Sequence, residues 1–386
     1  MRIAVLTNSI PSPKVTGGAG RIAYLYNELL RARGHIVRVW GPNSTFEQLR
    51  SMHPLSRLVF HLMDLGSNDV TTHEITAWKP DLLLTHNFTG CGFGTPTAVK
   101  AKGIRWMHFL HDVQLIEPSG QIRVSEQCVE GRGQLLRTAH RVLLTLFNAL
   151  WRRGWSFLRR QAMVDPDAVA SPTRWLLKFH QNYGWFCCIK TAIIPNPIRP
   201  HPQPLSFARR GETVLYVGRV DEDKGMLVLL KAWKKMTRPD VRLVVIGDGT
   251  LLEHLRMQHI PRVEFRGVQS PEGVCRAMEE SAVVVVPSLV LENQPTVILE
   301  ALAAGCNVVA SDVGGVAETL DGAGMLVPPG DVEALAQAMT EVVSSGQRTV
   351  DSKKREAMLF HHDPQHCVEA LERLIDIKFI NPHGSA

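Results

Sequence analysis

The sequence predicts an α/β protein of two doubly wound, parallel-sheet, Rossmann-like domains facing a cleft. Three observations carry that prediction. A strand–helix–strand opening (Ile3–Thr7, about Arg21–Arg33, His35–Trp40) restarts later as Thr213–Val217, a helix to about Met236, and Arg242–Ile246. Between the halves, Pro195, Pro197, Pro200, Pro202 and Pro204 fall within ten residues, which makes a stiff linker. The strands are short apolar runs closed by polar residues or glycine, as in sheets covered on both faces with ligands at their carboxyl edge. The domains are therefore placed at 1–195 and 211–362, with the linker at 196–210. A last helix within 363–386 is expected to cross back to the first domain.

Composition narrows the class. The 386 residues are 45% hydrophobic, with a net charge of +6 and room for ample cores. That charge fits a basic patch and not a nucleic-acid wrapper, so no nucleic acid is expected as partner. Met1 and Arg2 lead directly into IAVLT without a signal peptide, and the apolar stretch Val142–Trp151 is half the roughly 20 residues that span a bilayer. Seven cysteines without a C-x-x-C pair point to reduced thiols in a cytoplasm. His361, His362 and His366 are read as terminal surface histidines and not as a metal cluster.

In the first half, the loop after Ile3–Thr7 holds Gly17, Gly18 and Gly20, and Ile22, Leu25, Tyr26, Leu29 and Leu30 form one face of the helix that follows. Gly18, Gly20 and Ala23 fit the G-x-G-x-x-A of dinucleotide folds. About ten residues separate Thr7 from Gly18, however, and Gly41–Pro42 stand where a ribose-binding acid belongs, so no nicotinamide cofactor is expected. The glycines instead suit close backbone approach to a phosphate or sugar. Strands at Asp81–Thr85 and Ile104–Phe109 end in His86–Asn87 and His111–Asp112. His86 is read as structural, and His111, beside Asp112 at the binding edge, as a substrate contact.

From Gly131 to Val164 the chain holds seven arginines, two tryptophans and no acidic residue. It reads as one or two helices, basic on one side and Leu/Phe/Trp-rich on the other, lying against an anionic membrane surface. The alternative is a domain helix with a solvated basic face. Strands at Ala168–Ala170 and Thr191–Ile194 complete this half, the helix between them started by Ser171 and Pro172.

The second half is organised around Ser288–Ala301, where Glu292 and Glu300 have seven residues between them. Val283–Val286 is a buried strand closed by Pro287, and Pro295–Ala304 a helix with Pro295 at its first position. Glu292 then lies in the strand-to-helix loop and Glu300 a turn and a half into the helix. The unpaired N–H groups of Thr296 and Val297 offer an anion seat. Arg219 and Lys224, in the loop GRVDEDKG, suit a diphosphate: Arg by bidentate bonds, Lys as a point charge.

Taken in order, TGGAGR, RGHIVRVW, the His111–Asp112 pair, GRVDEDKG, IGDG, VPS, ENQPTVILE, SDVGG and VPPGD resemble the retaining glycosyltransferases of the GT-B fold, family four, over nearly the whole chain. The resemblance implies that Arg219 and Lys224 clamp the donor diphosphate, that Glu300 holds the nucleotide ribose, and that Glu292 faces the donor sugar near its anomeric carbon. It further implies that backbone around Asn293, Gln294 and Thr296 holds sugar or phosphates, and that Val268 meets the base. Gly17 and Gly18 match a loop that closes over the diphosphate, and His111 matches a donor-sugar contact. No cofactor and no metal are implied, and no D-x-D metal site is expected. The partners would be a nucleotide-sugar donor and a glycan or lipid-linked acceptor, in envelope or capsule polysaccharide synthesis. Asn293 departs from the glycine common after the first glutamate, where donor-sugar choice would be read.

Other classes compete. A sugar-nucleotide epimerase shares the fold and diphosphate site but needs no acceptor, and a transferase with a soluble acceptor needs no membrane. A non-catalytic membrane-binding protein would leave the second-half constellation without purpose.

Overall fold

The computed structural model describes residues 1–8, 18–41, 52–124, 134–198, 212–236, 238–345 and 352–375. Gly17 and the linker from 199 to 210 lie outside them. The chain forms two compact units: residues 1–121, 133–197 and 364–386 in the first, and 122–132 and 198–363 in the second.

In the first unit, β1 (Arg2–Leu6), α1 (Gly18–Ala32) and β2 (Ile36–Trp40) are followed by two helices, α2 (Pro54–Met63) and α3 (Asp69–Ala77). Then come β3 (Leu82–Thr85), α4 (Thr95–Lys100), β4 (Arg105–Phe109), α5 (Gln134–Ala162), β5 (Ala168–Ser171), α6 (Arg174–Gln181) and β6 (Lys190–Ile193). The strands form one parallel sheet ordered β2-β1-β3-β4-β5-β6. One face of it buries Ile3, Val5, Leu82, Leu84, Met107 and Phe109 under Ile22, Tyr26 and Leu30 of α1.

The second unit runs β7 (Thr213–Val217), α7 (Met226–Lys235), β8 (Arg242–Ile246), α8 (Leu252–Met257), β9 (Val263–Gly267), α9 (Pro271–Glu280) and β10 (Val283–Val286). It continues with α10 (Thr296–Ala303), β11 (Asn307–Ser311), α11 (Val316–Leu320), β12 (Met325–Val327), α12 (Val332–Ser345) and α13 (Ser352–His361). Its parallel sheet is ordered β12-β11-β10-β7-β8-β9. Both faces are buried: Val283 and Val285 join one core, Val284 the other. That is why β10 is an unbroken run of valines and not an alternating strand.

The last helix, α14 (Pro364–Leu374), belongs to the first unit and buries Cys367, Val368, Leu371 and Leu374 in its core. Its Glu372, 4% exposed, accepts from Arg33 at 2.8 Å and pairs with His35 at 2.9 Å. Two polar side chains thereby compensate the buried carboxylate. In the other direction, residues 122–132 leave the span read as the first domain: Val124 N donates to Leu289 O at 2.8 Å and Leu291 N to Ile122 O at 2.8 Å. His362 departs from the surface reading; it is 7% exposed and its carbonyl accepts from Ile198 N at 3.0 Å.

The basic segment also differs from its sequence reading. It is a single 29-residue helix, α5, with two of its arginines turned inward: Arg159 has no exposed surface, and Arg152 pairs with Glu117 at 3.2 Å. Its outward face carries Phe147, Leu150, Trp151, Phe157 and Leu158, with Arg153 and Arg160 exposed at its border. A 3.6-residue period sets the inward set 152, 155, 156 and 159 opposite that apolar stripe. Among the described residues, no helix is long and apolar enough to cross a membrane.

Candidate active site

In the second unit the chain adds β8 and β9 on one side of β7, then returns to place β10 on the other. The loops after β7 and β10 therefore emerge side by side at a topological switch point, where open α/β sheets bind ligands. Here the backbones are in contact. Gly225, with φ of 76°, lies so close to Pro287 that a Cβ would stand 1.7 Å from the Pro287 carbonyl oxygen. Only glycine passes at that distance and in that conformation. Leu289 N donates to Asp223 O at 2.9 Å, a second tie between the loops.

This lacing brings Lys224 to Glu292. Lys224 Nζ donates to Glu292 Oε1 at 2.6 Å, and Ser288 Oγ to the same oxygen at 2.8 Å. The backbone of Glu292 is fixed from behind by the SDVGG turn: Gly315 N donates to Glu292 O at 2.8 Å. A Cβ on Gly314, whose φ is 63°, would lie 2.1 Å from that carbonyl oxygen. The glycines of SDVGG thus act on Glu292 through its main chain, a connection the sequence spacing does not reveal.

Arg219 lies in the same loop. Its guanidinium donates to Asp221 and, at 2.8 Å, to Asp223 Oδ2; its carbonyl accepts from Tyr216 Oη at 2.5 Å. Asp221 also accepts from Thr250 N at 2.7 Å and Thr250 Oγ1 at 2.9 Å, which joins GRVDEDKG to the IGDG turn. Asp221–Glu222–Asp223 does spell D-x-D, a point on which the sequence expectation needs correcting, but both aspartates are engaged with Arg219. They orient the cation.

Following Glu292, Asn293 is half-buried and Gln294 9% exposed. Pro295 is the N-cap of α10, not its first helical residue, with extended ψ of 116°. Thr296 and Val297 consequently open the helix with N–H groups that have no intrahelical acceptor. Glu300 is half-buried on α10, within electrostatic reach of Cys275 on α9; burial, with Glu279, Glu300 and Glu272, raises that thiol's pKa. Val268 follows β9 at the carboxyl edge of the same sheet and is 64% exposed, an apolar surface facing solvent.

Gly18 and His111 belong to the first unit, Gly18 as the first residue of α1. His111 follows β4, 9% exposed, its ring stacked on Phe109 at 5.0 Å. Its Nε2 lies 2.7 Å from Nδ1 of His86. Burial, then His86 and His108, hold the His111 pKa well below the ordinary value, and burial lowers His86 to about 3. A neutral pair results, one ring donating to the other. His86 is thus the residue that touches His111, and the signal for it was in the sequence: adjacent strands each ending in a polar pair with histidine first. Asp112 accepts from Asn87 Nδ2 at 2.7 Å and from Gln114 N at 2.9 Å.

Residues 16–201 match the family model for glycosyltransferase family 4, and residues 211–345 that for glycosyl transferases group 1. Over 150 residues the chain is 39% identical to the phosphatidyl-myo-inositol mannosyltransferase of Mycobacterium leprae, covering 37% of this chain and 40% of that one. Over 226 residues it is 31% identical to the lipopolysaccharide 1,2-N-acetylglucosaminetransferase of Salmonella typhimurium, covering 51% and 59%. These curated relatives are thus matched over less than two thirds of their length. Anabaena HepE, solved in complex with UDP and glucose, shares the fold with a TM-score of 0.66 at 19% identity, over 98% of this chain and all of that one.

Proposed function

The chain belongs to the group 1 and family 4 glycosyltransferases of the GT-B fold, and on that premise we propose retaining sugar transfer from a nucleoside-diphosphate sugar. The observation that carries this reading is the Lys224–Glu292 contact of 2.6 Å at the switch point. It sets a cation suited to the leaving diphosphate next to a carboxylate suited to the sugar. As the glycosidic bond breaks, Arg219, Lys224 and the N–H groups of α10 stabilise the diphosphate, while Glu292 favours positive charge at the anomeric carbon. Glu300 takes the ribose and Val268 the base. Asn293, Gln294 and Thr296 hold sugar or phosphate, and Gly17 and Gly18 close over the diphosphate. His111 contacts the donor sugar. The acceptor attacks on the face that the leaving group vacates, with no metal in the step.

The acceptor in this proposal is a lipid-linked glycan or glycolipid. The two curated relatives are named for phosphatidyl-myo-inositol and lipopolysaccharide. Support within the chain comes from the outward face of α5 and, beside it, α2, whose Leu55, Val59, Leu62 and Met63 are 46–77% exposed. The two helices meet where the rings of His61 and Trp155 lie 5.9 Å apart. An apolar surface edged by Arg153 and Arg160 fits an anionic bilayer and peripheral attachment.

The test is a thermal-shift panel of nucleotide sugars, followed by NMR of the anomeric configuration in the product. A stabilising donor and a product of unchanged configuration are expected. An inverted linkage overturns retention, and an epimerised donor with no transfer overturns the whole reading.

A further inference from the structure

Arg159 is the only arginine or lysine among the described residues that is fully buried. Its guanidinium lies 4.2 Å over the Phe93 ring and 4.9 Å from that of Trp155, and its three nitrogens have no hydrogen-bond partner among the described residues. A buried charge left uncompensated costs several kcal/mol. What compensates this one is two carboxylates, Asp64 and Asp112, aided by Glu117.

Those carboxylates each tie down a loop. Asp64 accepts from Gly90 N and Gly92 N, both at 2.8 Å, on the loop that begins with His86. Asp112, next to His111, accepts from Asn87 and from Gln114 N. The loops after β3 and β4 are therefore held by two acids that share one cation. That cation sits on α5, whose inner face also reaches Glu117 through Arg152, His61 through Trp155, and Trp185 through Ser156.

We propose that Arg159 is a positioning residue: it keeps Asp64 and Asp112 as carboxylates, and through their hydrogen bonds fixes the loops that present His86 and His111. Burial raises both acids, and they stand at about 6 with the hydrogen bonds from Gly90 and Gly92, or from Gln114 and Asn87, opposing the rise first and the Arg159 charge adding to that opposition in each. Without it one acid is protonated near neutrality, its acceptor strength falls, and its loop is released. The role of His111 rests on the function proposed above; the positioning does not.

The experiment follows backbone amide hydrogen exchange and the imidazole 15N signals of the full chain, neither of which needs a donor. In Arg159→Met, exchange at the Gly90, Gly92 and Gln114 amides should rise tenfold or more and the His86 and His111 signals should move, with the β1 amides unchanged. Arg159→Lys, which keeps the charge, should recover part of the protection, and Lys102→Met, at an exposed turn of the same unit, should leave exchange at the three amides unchanged. Unaltered exchange at the three amides overturns the proposal. So does a uniform rise across the unit, which would make Arg159 a general stabiliser. Should Arg159→Met not fold, Arg159→Gln, which keeps a polar side chain and loses the charge, decides alone: local acceleration at the three amides supports the proposal, and uniform or absent acceleration overturns it.

Discussion

Lys224 and Glu292 stand 68 residues apart in the chain and meet in a 2.6 Å ion pair. They meet because β7 and β10 are parallel neighbours, so residues that follow each strand share one edge. Neither charge is placed independently of the other, and both are more than three-quarters shielded from solvent.

Removing either cation should cost turnover. Arg219→Ala and Lys224→Ala are each expected to lower kcat by about 100-fold, as for loss of one preorganised donor to a developing anion. Lys224→Ala additionally leaves Glu292 beside the neutral Ser288 hydroxyl. Steady-state rates at saturating donor measure this, and near-wild-type turnover in both variants removes the diphosphate clamp.

The two glutamates should fail differently. Glu300→Ala is expected to raise the donor KM with kcat largely kept, since a ribose contact is the same in ground and transition states. Glu292→Ala should lower kcat, because a carboxylate near the anomeric carbon matters most as charge develops. Identical defects in the two variants would contradict the division of roles.

Gly314→Ala should disturb Glu292 without touching its side chain. The added Cβ would meet the Glu292 carbonyl at 2.1 Å, in a backbone conformation that L residues avoid. A stability loss of roughly 1–3 kcal/mol is expected together with reduced kcat. Denaturation midpoints and turnover measured on one preparation check it; full activity would mean that the SDVGG turn does not position Glu292.

The first unit should weaken in acid. Burial holds His86 and His108 at about 3 and His61 and His180 at about 4, against about 6.5 in the unfolded chain. Their stabilisation is complete above about 6.5 and is lost as pH falls toward those values, at roughly 1.4 kcal/mol per histidine per pH unit. Asp64 and Asp112, raised by burial to about 6 from 3.8, act oppositely: they weigh against the fold above pH 6 and relax below it. Five histidines, with His111 also held well below the ordinary value, outweigh two aspartates, so unfolding should take up protons between pH 6.5 and 4. Calorimetry from pH 7 to 5 should show a falling midpoint; a rising one would reverse the balance.

Vesicle binding should depend on the outward face of α5. Phe147, Leu150, Phe157 and Leu158 changed to Ser, or Arg153 and Arg160 changed to Gln, should release the protein from anionic vesicles and leave donor binding intact. Each border arginine is worth about 1 kcal/mol near the surface, and the effect fades with salt. Co-sedimentation reads both; a wild type that ignores anionic vesicles at low salt ends the membrane proposal.

Much of the fold was legible because each element carries a local signal. The all-valine β10 announced a strand buried on both faces, and the residues after β7 and β10 marked the edge where Lys224 and Glu292 meet. What stayed hidden depends on tertiary placement. Nothing local distinguishes Arg159, which turns inward, from Arg160, which stays exposed. The role of Asp221 and Asp223 was equally obscure, since the same D-x-D spacing serves a metal site or an arginine orienter. The bridge of Arg123 to Val290 was missed because a single paired residue has no readable period, and α3 because DVTTHEITA shows little amphipathic contrast; α2, PLSRLVFHLM, does carry apolar residues at helical spacing behind its His53 cap.

The chain passes between its two units after residues 121, 132, 197 and 363, which bears on how the protein is made. A ribosome releases the sheet of the first unit early, yet the helix that closes its core, with Glu372 for Arg33 and His35, emerges only after residues 198–363 of the second unit. At 5–20 residues per second the nascent first unit waits roughly ten to thirty seconds with Leu30, Phe109 and Ala170 lacking their final cover. Neither unit can be expressed whole from one uninterrupted stretch of gene. A truncation at residue 363, which looks like trimming a tail, removes part of the N-terminal core.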